Sequence, residues 1–198
     1  MKKSTGIIIL AAGSSSRLGR PKQLLQYKGK TLLSHTVTQA LTANDAAVMV
    51  VTGANREMIE TELKNTGAMA IYNPDWELGM GSSVSVGLAA LMQAAPELER
   101  CIITVCDQPF IHSEILNALI GEQQLSGKGI VASAYVGTLG TPVAFESKYF
   151  QDLLDLSGKD GAKQLVEQYS DDVSSVSFEQ GAVDIDTVED YNRLVDMQ

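Results

Sequence analysis

The chain has 198 residues, of which 44% are hydrophobic and 20% are charged, which is an ordinary composition for a globular protein with a core of its own. Its formal charge is −9, but residues 1–44 contain seven basic side chains and no Asp or Glu, while the remainder, with 8 basic and 24 acidic side chains, carries −16. A mostly acidic surface repels nucleic acid and excludes a general nucleic-acid-binding protein, whereas one basic segment favours a small anionic ligand.

Apolar, β-branched runs alternate along the chain with segments of helical spacing. Strands are predicted at residues 6–11, 47–52, 68–72, 101–106, 130–135 and 173–178. Helices are predicted at residues 32–41, 56–64, 82–92, 113–122, 162–169 and 188–196, the last of them beginning after Thr187 as N-cap. The alternation predicts one α/β domain over residues 1–198, a three-layer αβα arrangement whose mostly parallel sheet is covered by helices on both faces.

Two further features concern the environment of the protein. No apolar run approaches 18 residues and the start of the chain does not complete a signal peptide, so we predict a cytoplasmic protein that is not inserted in a membrane. Cys101 and Cys106 lie five residues apart on a predicted strand and therefore point to opposite faces, which predicts reduced core thiols rather than a disulfide.

The first strand runs into a loop of small residues, LAAGSSSRLGRPK (residues 10–22). Small residues let backbone N–H groups approach an anion closely, and Arg17 and Lys22 are placed to complete a phosphate site, with Arg20 a weaker candidate. The loop has neither a Walker A sequence nor the dinucleotide-binding glycine pattern. On spacing alone, a flexible polar turn with solvated arginines is the alternative.

Two further loops follow predicted strands, where ligands bind in open α/β sheets. In NPDWELGMGSS (residues 73–83), glycines flank a helix start predicted at Ser82 or Ser83, which suits an anion or a base edge but also an ordinary capped helix. Asp107 directly follows a buried strand, a position that suits a hard cation although it also suits a turn cap. Asp184 and Asp186 lie two apart on an extended segment and therefore point the same way, or else serve as charge before the last helix.

These motifs resemble the MobA-like NTP transferase family, nucleotidyltransferases with a glycosyltransferase-A-like fold. The first loop is similar to the family signature Leu-Ala-(Ala/Gly)-Gly-x-(Ser/Gly)-x-Arg-(apolar)-Gly-x-x-Lys, and its double alanine resembles the molybdenum cofactor cytidylyltransferase branch rather than the guanylyltransferase branch. The segments GMGSS (79–83), DQP (107–109) and VDIDTVED (183–190) resemble a nucleotide-pocket loop, a magnesium motif and the family's closing segment. Residues 140–145 resemble a Gly-x-Pro-x-x-Phe strand near the acceptor.

The resemblance implies the nucleotide-diphospho-sugar transferase, Rossmann-like fold, and it implies a set of site residues. Arg17, Lys22 and Asp107 are the implied catalytic residues, and Asp107 with Asp186 is the implied Mg²⁺ site. The implied nucleotide-binding residues are Leu10, Ala11, Ala12, Gly13, Ser14, Arg17, Lys22, Gly81, Ser82 and Ser83. Zinc is not expected, because His35 and His112 have no partner at ligand spacing.

The implied reaction is Mg²⁺-dependent transfer of CMP from CTP to the terminal phosphate of molybdopterin, with release of pyrophosphate. A sugar- or polyol-phosphate nucleotidyltransferase with the same first loop is an alternative. A non-catalytic carrier that delivers molybdenum cofactor to a molybdenum hydroxylase or its maturation chaperone is another. The roles of four residues stay open, namely Thr141 (His in many relatives), Asp160 (transposed with Lys159 relative to the family motif), Lys163 and Asp184.

Overall fold

The structure is a computed structural model that describes residues 4–43, 46–158 and 161–197, and within these ranges the chain forms nine strands and seven helices. The strands are β1 (Thr5–Leu10), β2 (Gln26–Tyr27), β3 (Lys30–Thr31), β4 (Ala47–Thr52), β5 (Met69–Tyr72), β6 (Arg100–Val105), β7 (Ile130–Tyr135), β8 (Thr138–Glu146) and β9 (Val173–Ser177). The helices are α1 (Leu32–Thr42), α2 (Arg56–Glu62), α3 (Met80–Ala94), α4 (Ser113–Ser126), α5 (Phe150–Leu154), α6 (Lys163–Gln168) and α7 (Val188–Asp196).

Seven of the strands form one sheet in the order β5-β4-β1-β6-β8-β7-β9, while β2 and β3 form a small hairpin of their own. Neighbours in the large sheet are parallel except for β8, which is antiparallel to both β6 and β7. The predicted mostly parallel sheet is therefore confirmed. The strand implied by resemblance at residues 140–145 is present as β8, although the periodic alternation had not included it.

Successive side chains of the central strands pack into two cores, one on each face of the sheet. Ile7 and Ile9 of β1 lie in the core that faces α1, α2 and α4, whereas Ile8 lies in the core that faces α3, α5 and α6. Apolar burial on both faces is what a continuous apolar run indicates, and the three-layer prediction is confirmed. A third cluster packs α7 against the small hairpin.

The two cysteines occupy the two different cores. Both thiols are free and buried, Cys101 on the α3 side and Cys106 on the α4 side, which confirms the prediction of opposite faces. Burial raises the pKa of Cys101 and raises that of Cys106 to about 12. Within the described part of the chain, every helix is too short or too polar to cross a lipid bilayer.

One helix prediction needs correction. The helix predicted from residue 82 begins at Met80, because Gly79, with φ 123° and ψ −173°, forms the turn that precedes it. Helix α5 and the small hairpin were not predicted. By contrast, α7 begins at the predicted residue, with a reciprocal cap in which the Thr187 side chain accepts from Asp190 N and the Asp190 side chain accepts from Thr187 N.

Candidate active site

The loops that follow the parallel strands meet at the carboxyl edge of the sheet. Leu10 of β1 lies opposite Val51 of β4 on one side and Val105 of β6 on the other. The first loop, the segment after β4 and Asp107 therefore begin at the same level of the sheet. This edge is where ligands bind in open α/β folds.

Four charged residues predicted from three segments of the sequence form one ion-paired cluster at this edge. Lys22 Nζ lies 2.5 Å from Asp107 Oδ2 and 2.9 Å from Asp186 Oδ1. Arg17 Nη2 lies 2.8 Å from Asp186 Oδ2. The side chains of Lys22 and Asp107 are each 17% exposed, whereas that of Arg17 is 68% exposed. The predicted phosphate-binding cations thus pair with the predicted metal-binding carboxylates.

The pKa values in the cluster follow from this pairing. Burial acts to lower the pKa of Lys22, but the charges and hydrogen bonds of Asp107 and Asp186 outweigh it and raise that pKa. Burial acts to raise the pKa of Asp186, but Lys22 and then Arg17 lower it. The pKa of Asp184 is raised by burial and then by the neighbouring negative charges of Asp186 and Asp107.

The donor set fits a divalent cation that is shared with substrate. Asp107 and Asp186 both direct an oxygen at one cationic centre, the Lys22 ammonium group. In the described ranges no group of three or more His, Cys, Asp and Glu side chains is arranged to hold a metal ion. Mg²⁺ is commonly bound by one or two carboxylates, with phosphates and water as the remaining ligands, so two carboxylates are sufficient.

Two residues that fix the first loop were not predicted. The Gln23 amide is buried and donates to the carbonyl oxygens of Ala11 and Gly13. Gly53, just after β4, lies so close to Ala12 that an added Cβ would be 2.5 Å from the Ala12 carbonyl oxygen. The available signal for Gly53 was its place directly after a predicted strand, whereas the burial of Gln23 depends on the tertiary structure.

A buried asparagine fixes the second loop. Asn73 is 0% exposed, and its Nδ2 donates to Ser82 Oγ at 2.9 Å and to Ser83 Oγ at 3.0 Å. Ser82 Oγ also lies 2.8 Å from the carbonyl oxygen of Gly79, so its hydroxyl is engaged within the loop. Gly81 and Ser83 are buried at the start of α3. Asn73 is not among the site residues predicted from the sequence.

Most of the predicted nucleotide-binding residues line one of two cavities. One, of about 310 Å³, is lined by Leu10, Ala12, Gly13, Ser14, Lys22, Ser83 and Asp107, together with Trp76 and Gly79. The other, of about 220 Å³, is lined by residues 13–17, Lys22 and Asp186. Ala11 instead packs in the core beneath the loop. The predicted residues therefore surround a space next to the cluster, except for Ala11 below it and for Gly81 and Ser82, which line neither cavity.

Two more cavities continue from this space along the sheet. One, of about 250 Å³, contains Asp107, Asp184 and Thr141, and the other, of about 590 Å³, contains Thr141 and Lys163. Thr141 therefore borders both of them, and its hydroxyl lies 3.3 Å from Gln108 Oε1. Lys159 and Asp160 lie outside the described residues.

Residues 7–173 match the family described as the MobA-like NTP transferase domain. The chain belongs to this family. The matched part of this MobA-like NTP transferase extends from β1 to the start of β9 and includes Arg17, Lys22 and Asp107. Asp186 lies beyond it, and its assignment depends on the contacts with Lys22 and Arg17.

The relatives of this MobA-like NTP transferase have different names. The chain is 30% identical to the nicotine blue oxidoreductase of Paenarthrobacter nicotinovorans over 200 residues, covering 95% of each protein. It is 24% identical to the molybdenum cofactor cytidylyltransferase of Escherichia coli over 187 residues, covering 93% of this chain and 92% of the relative.

Solved structures agree with the fold. Rv0371c from Mycobacterium tuberculosis superimposes with a TM-score of 0.86 at 28% identity, covering 99% of both chains. A complex of Rv0371c with manganese has a TM-score of 0.81 at 25% identity, covering 99% of this chain and 100% of the other. The predicted family, the nucleotide-diphospho-sugar transferase fold and the nucleotidyltransferase class are confirmed.

Proposed function

We propose that this nucleotidyltransferase transfers CMP from CTP to the terminal phosphate of molybdopterin in a Mg²⁺-dependent reaction that releases pyrophosphate. The observation that carries the proposal is the cluster in which Lys22 lies between Asp107 and Asp186, beside Arg17 and next to the 310 Å³ cavity. It supplies cations for a triphosphate and carboxylates for a metal at a single place.

The chemistry asked of these residues is alignment and charge stabilisation. An acceptor phosphate oxygen attacks the α-phosphorus, the bond from that phosphorus to the bridging oxygen breaks, and pyrophosphate leaves with the electron pair. The second pKa of a phosphate monoester is about 6, so the nucleophile is ionised at neutral pH and needs no general base. Arg17 and Lys22 bind the departing phosphates and stabilise their charge.

Asp107 and Asp186 are the residues that would hold Mg²⁺. When bound there, the ion supplies Lewis-acid stabilisation of negative charge on the phosphates. The manganese complex of the related Rv0371c supports a divalent cation in proteins of this fold. The two loops that carry these carboxylates are joined, because Ile185 N donates to the carbonyl oxygen of Asp107 at 3.0 Å, and this contact supports a shared site.

Two observations support CTP and molybdopterin as substrates, namely the similarity to a named relative and the volume of the neighbouring cavities. The Escherichia coli relative is named for cytidylyl transfer to molybdenum cofactor. Asp107 lines the cavity of about 250 Å³, and Thr141 borders both that cavity and the one of about 590 Å³, so the two offer room for a large acceptor. Lys163, at the border of the larger cavity, supplies a positive charge for an anionic acceptor.

The test is pyrophosphate release from each of the four nucleoside triphosphates in the presence of molybdopterin and Mg²⁺. We expect release with CTP, and release with another triphosphate alone would refute the choice of base. Release only when a sugar or polyol phosphate replaces molybdopterin would favour the alternative nucleotidyltransferase. Tight molybdopterin binding without release from any triphosphate would favour the non-catalytic carrier.

Asp107→Asn tests the metal assignment within the same assay. We expect turnover to be abolished while the circular-dichroism spectrum stays that of the folded wild type, because the amide keeps the shape of the side chain and removes its charge. Turnover like that of the wild type would contradict the role of Asp107. Lys28→Ala, in the small hairpin, is the control for a charge change outside the cluster.

A further inference from the structure

We propose that Gln23 is a positioning residue that holds the triphosphate loop in the form that binds phosphate. Gln23 is 1% exposed and lies in a 3-10 turn directly after Lys22. Its Nε2 donates to the carbonyl oxygen of Ala11 at 2.9 Å and to that of Gly13 at 3.0 Å, and its Oε1 lies 3.4 Å from Ser15 Oγ. Both amide hydrogens and the amide oxygen therefore have partners.

These contacts bind carbonyl oxygens of the loop and leave its backbone N–H groups available. Gln23 engages the carbonyl oxygens of Ala11 and Gly13, and Ala54 N donates to that of Ala12 at 3.0 Å. In contrast, the N–H groups of residues 13–15 have no acceptor within the described part of the chain. A loop whose carbonyl oxygens are bound to protein and whose N–H groups remain available is suited to an anion.

The same contacts hold an unfavourable backbone conformation. Ser15 has φ 56°, in the left-handed region that non-glycine residues rarely adopt. Its Oγ accepts a hydrogen bond from Lys22 N at 3.0 Å and contacts Gln23. Because Gln23 is covalently next to Lys22, the loop donors and the Lys22 cation are fixed relative to each other as one unit.

Gln23 acts through the loop and contacts no substrate in this role, which rests on the proposed binding of a triphosphate at this loop. Replacement by methionine keeps the length of the side chain and removes all three hydrogen bonds. The freed carbonyl oxygens of Ala11 and Gly13 would then compete for the loop N–H groups or turn toward the phosphates, which they repel.

The chain offers a matched control in Gln123. This glutamine is 3% exposed, its Nε2 donates to the carbonyl oxygen of Gly129 at 3.1 Å, and its Oε1 accepts from Arg100 Nε at 3.0 Å. It lies on α4 and is not among the residues that line the four cavities of the site. Gln123→Met therefore removes a buried amide of the same kind at a distance from the site.

The experiment measures binding of inorganic tripolyphosphate and of CTP, each with Mg²⁺, by calorimetry well below the unfolding temperature. Tripolyphosphate has no base or sugar and reports on the loop alone. We expect Gln23→Met to raise the Kd for both ligands at least about tenfold, the effect of losing one charge-assisted hydrogen bond, whereas Gln123→Met changes it less than about twofold. In steady-state kinetics, the KM for CTP rises while that for the acceptor stays the same.

The outcomes separate this inference from the proposed function. If the wild type binds neither tripolyphosphate nor CTP, the triphosphate assignment fails and this inference fails with it. If the wild type binds both and folded Gln23→Met binds them equally well, only the positioning role is overturned. If Gln23→Met does not fold, Ser15→Ala decides, because Ser15 is half-buried and its hydroxyl links Gln23 to Lys22 N. A Kd raised about threefold supports the inference, and an unchanged Kd overturns it.

Discussion

Replacing Lys22 by methionine should tighten the binding of a divalent cation to the nucleotide-free protein. The Lys22 ammonium group lies between Asp107 and Asp186, the two side chains that would hold the metal. On the proposed function, Lys22 would therefore compete with the metal until a triphosphate is present to receive its charge. Methionine keeps most of the length of the side chain and removes this competitor.

The size of the effect follows from the two ion pairs. A hydrogen bond between charged partners contributes about 1.5–3 kcal/mol, and the side chains of Lys22 and Asp107 are each only 17% exposed, so solvent screens this pair incompletely. If only one such bond has to be broken, Lys22→Met should lower the Kd for the metal at least about tenfold, since a factor of ten corresponds to about 1.4 kcal/mol. The same variant should bind Mg²⁺-CTP more weakly, because a cation for the phosphates is lost.

Titration of the nucleotide-free protein with Mn²⁺, followed by electron paramagnetic resonance, measures the first effect, and calorimetry with Mg²⁺-CTP measures the second. Lys28→Met is the control for loss of a positive charge near the same end of the chain. Opposite changes in the affinities for Mn²⁺ and for Mg²⁺-CTP would distinguish the loss of this competition from general damage to the site. A Mn²⁺ affinity that is unchanged or weaker in Lys22→Met would refute the reasoning.

Two further predictions test contacts elsewhere in the fold. Hydrogen bonds from Lys148 and Tyr149 lower the pKa of Asp172 to about 2, so the contribution of Asp172 to stability is present at neutral pH and is lost as pH falls from about 5 toward 2. Asp172→Asn should therefore lower the free energy of unfolding by about 1 kcal/mol at pH 7. In urea denaturation at a series of pH values, the difference between the variant and the wild type should shrink toward pH 3. A difference that does not depend on pH would contradict this. Gly53→Val should lower the free energy of unfolding by about 1–3 kcal/mol in urea denaturation and should weaken CTP binding, because any Cβ at residue 53 meets the Ala12 carbonyl oxygen. An unchanged Kd for CTP would show that the loop tolerates the shift.

Much of the fold could be predicted because parallel strands that are buried on both faces read as continuous apolar runs. The predicted strands at 47–52 and 130–135 and the predicted helix at 188–196 have the bounds that the structure shows. Strand β8 was not found by periodicity because Gly140 and Pro142 interrupt its apolar pattern, and because a two-residue turn with positive φ at Val136 and Gly137 joins it directly to β7. Such a strand has no intervening helix to separate it in the sequence.

The sequence singled out the four charged residues of the cluster one by one, but it did not predict the ion pairs between them. Each of Arg17, Lys22, Asp107 and Asp186 was assigned to an external charge, a phosphate or a metal, because a sequence shows residue types and not distances. In the folded chain these charges pair with one another. The roles of the buried amides are decided by tertiary packing in the same way, since a Gln after Pro-Lys carries no local signal of burial.

The uneven charge along the sequence acquires a structural meaning at this cluster. The basic segment contributes Arg17 and Lys22, the acidic remainder contributes Asp107 and Asp186, and the opposite charges meet at one edge of the sheet. Each part therefore stabilises the charge of the other, and on the proposed function a triphosphate together with a cation would enter by exchange of these pairs. Such an exchange would conserve charge pairing, since the cations would pair with phosphates as the carboxylates accepted a metal. Binding of nucleotide and metal should therefore be mutually reinforcing, because each ligand releases the protein charge that the other one needs.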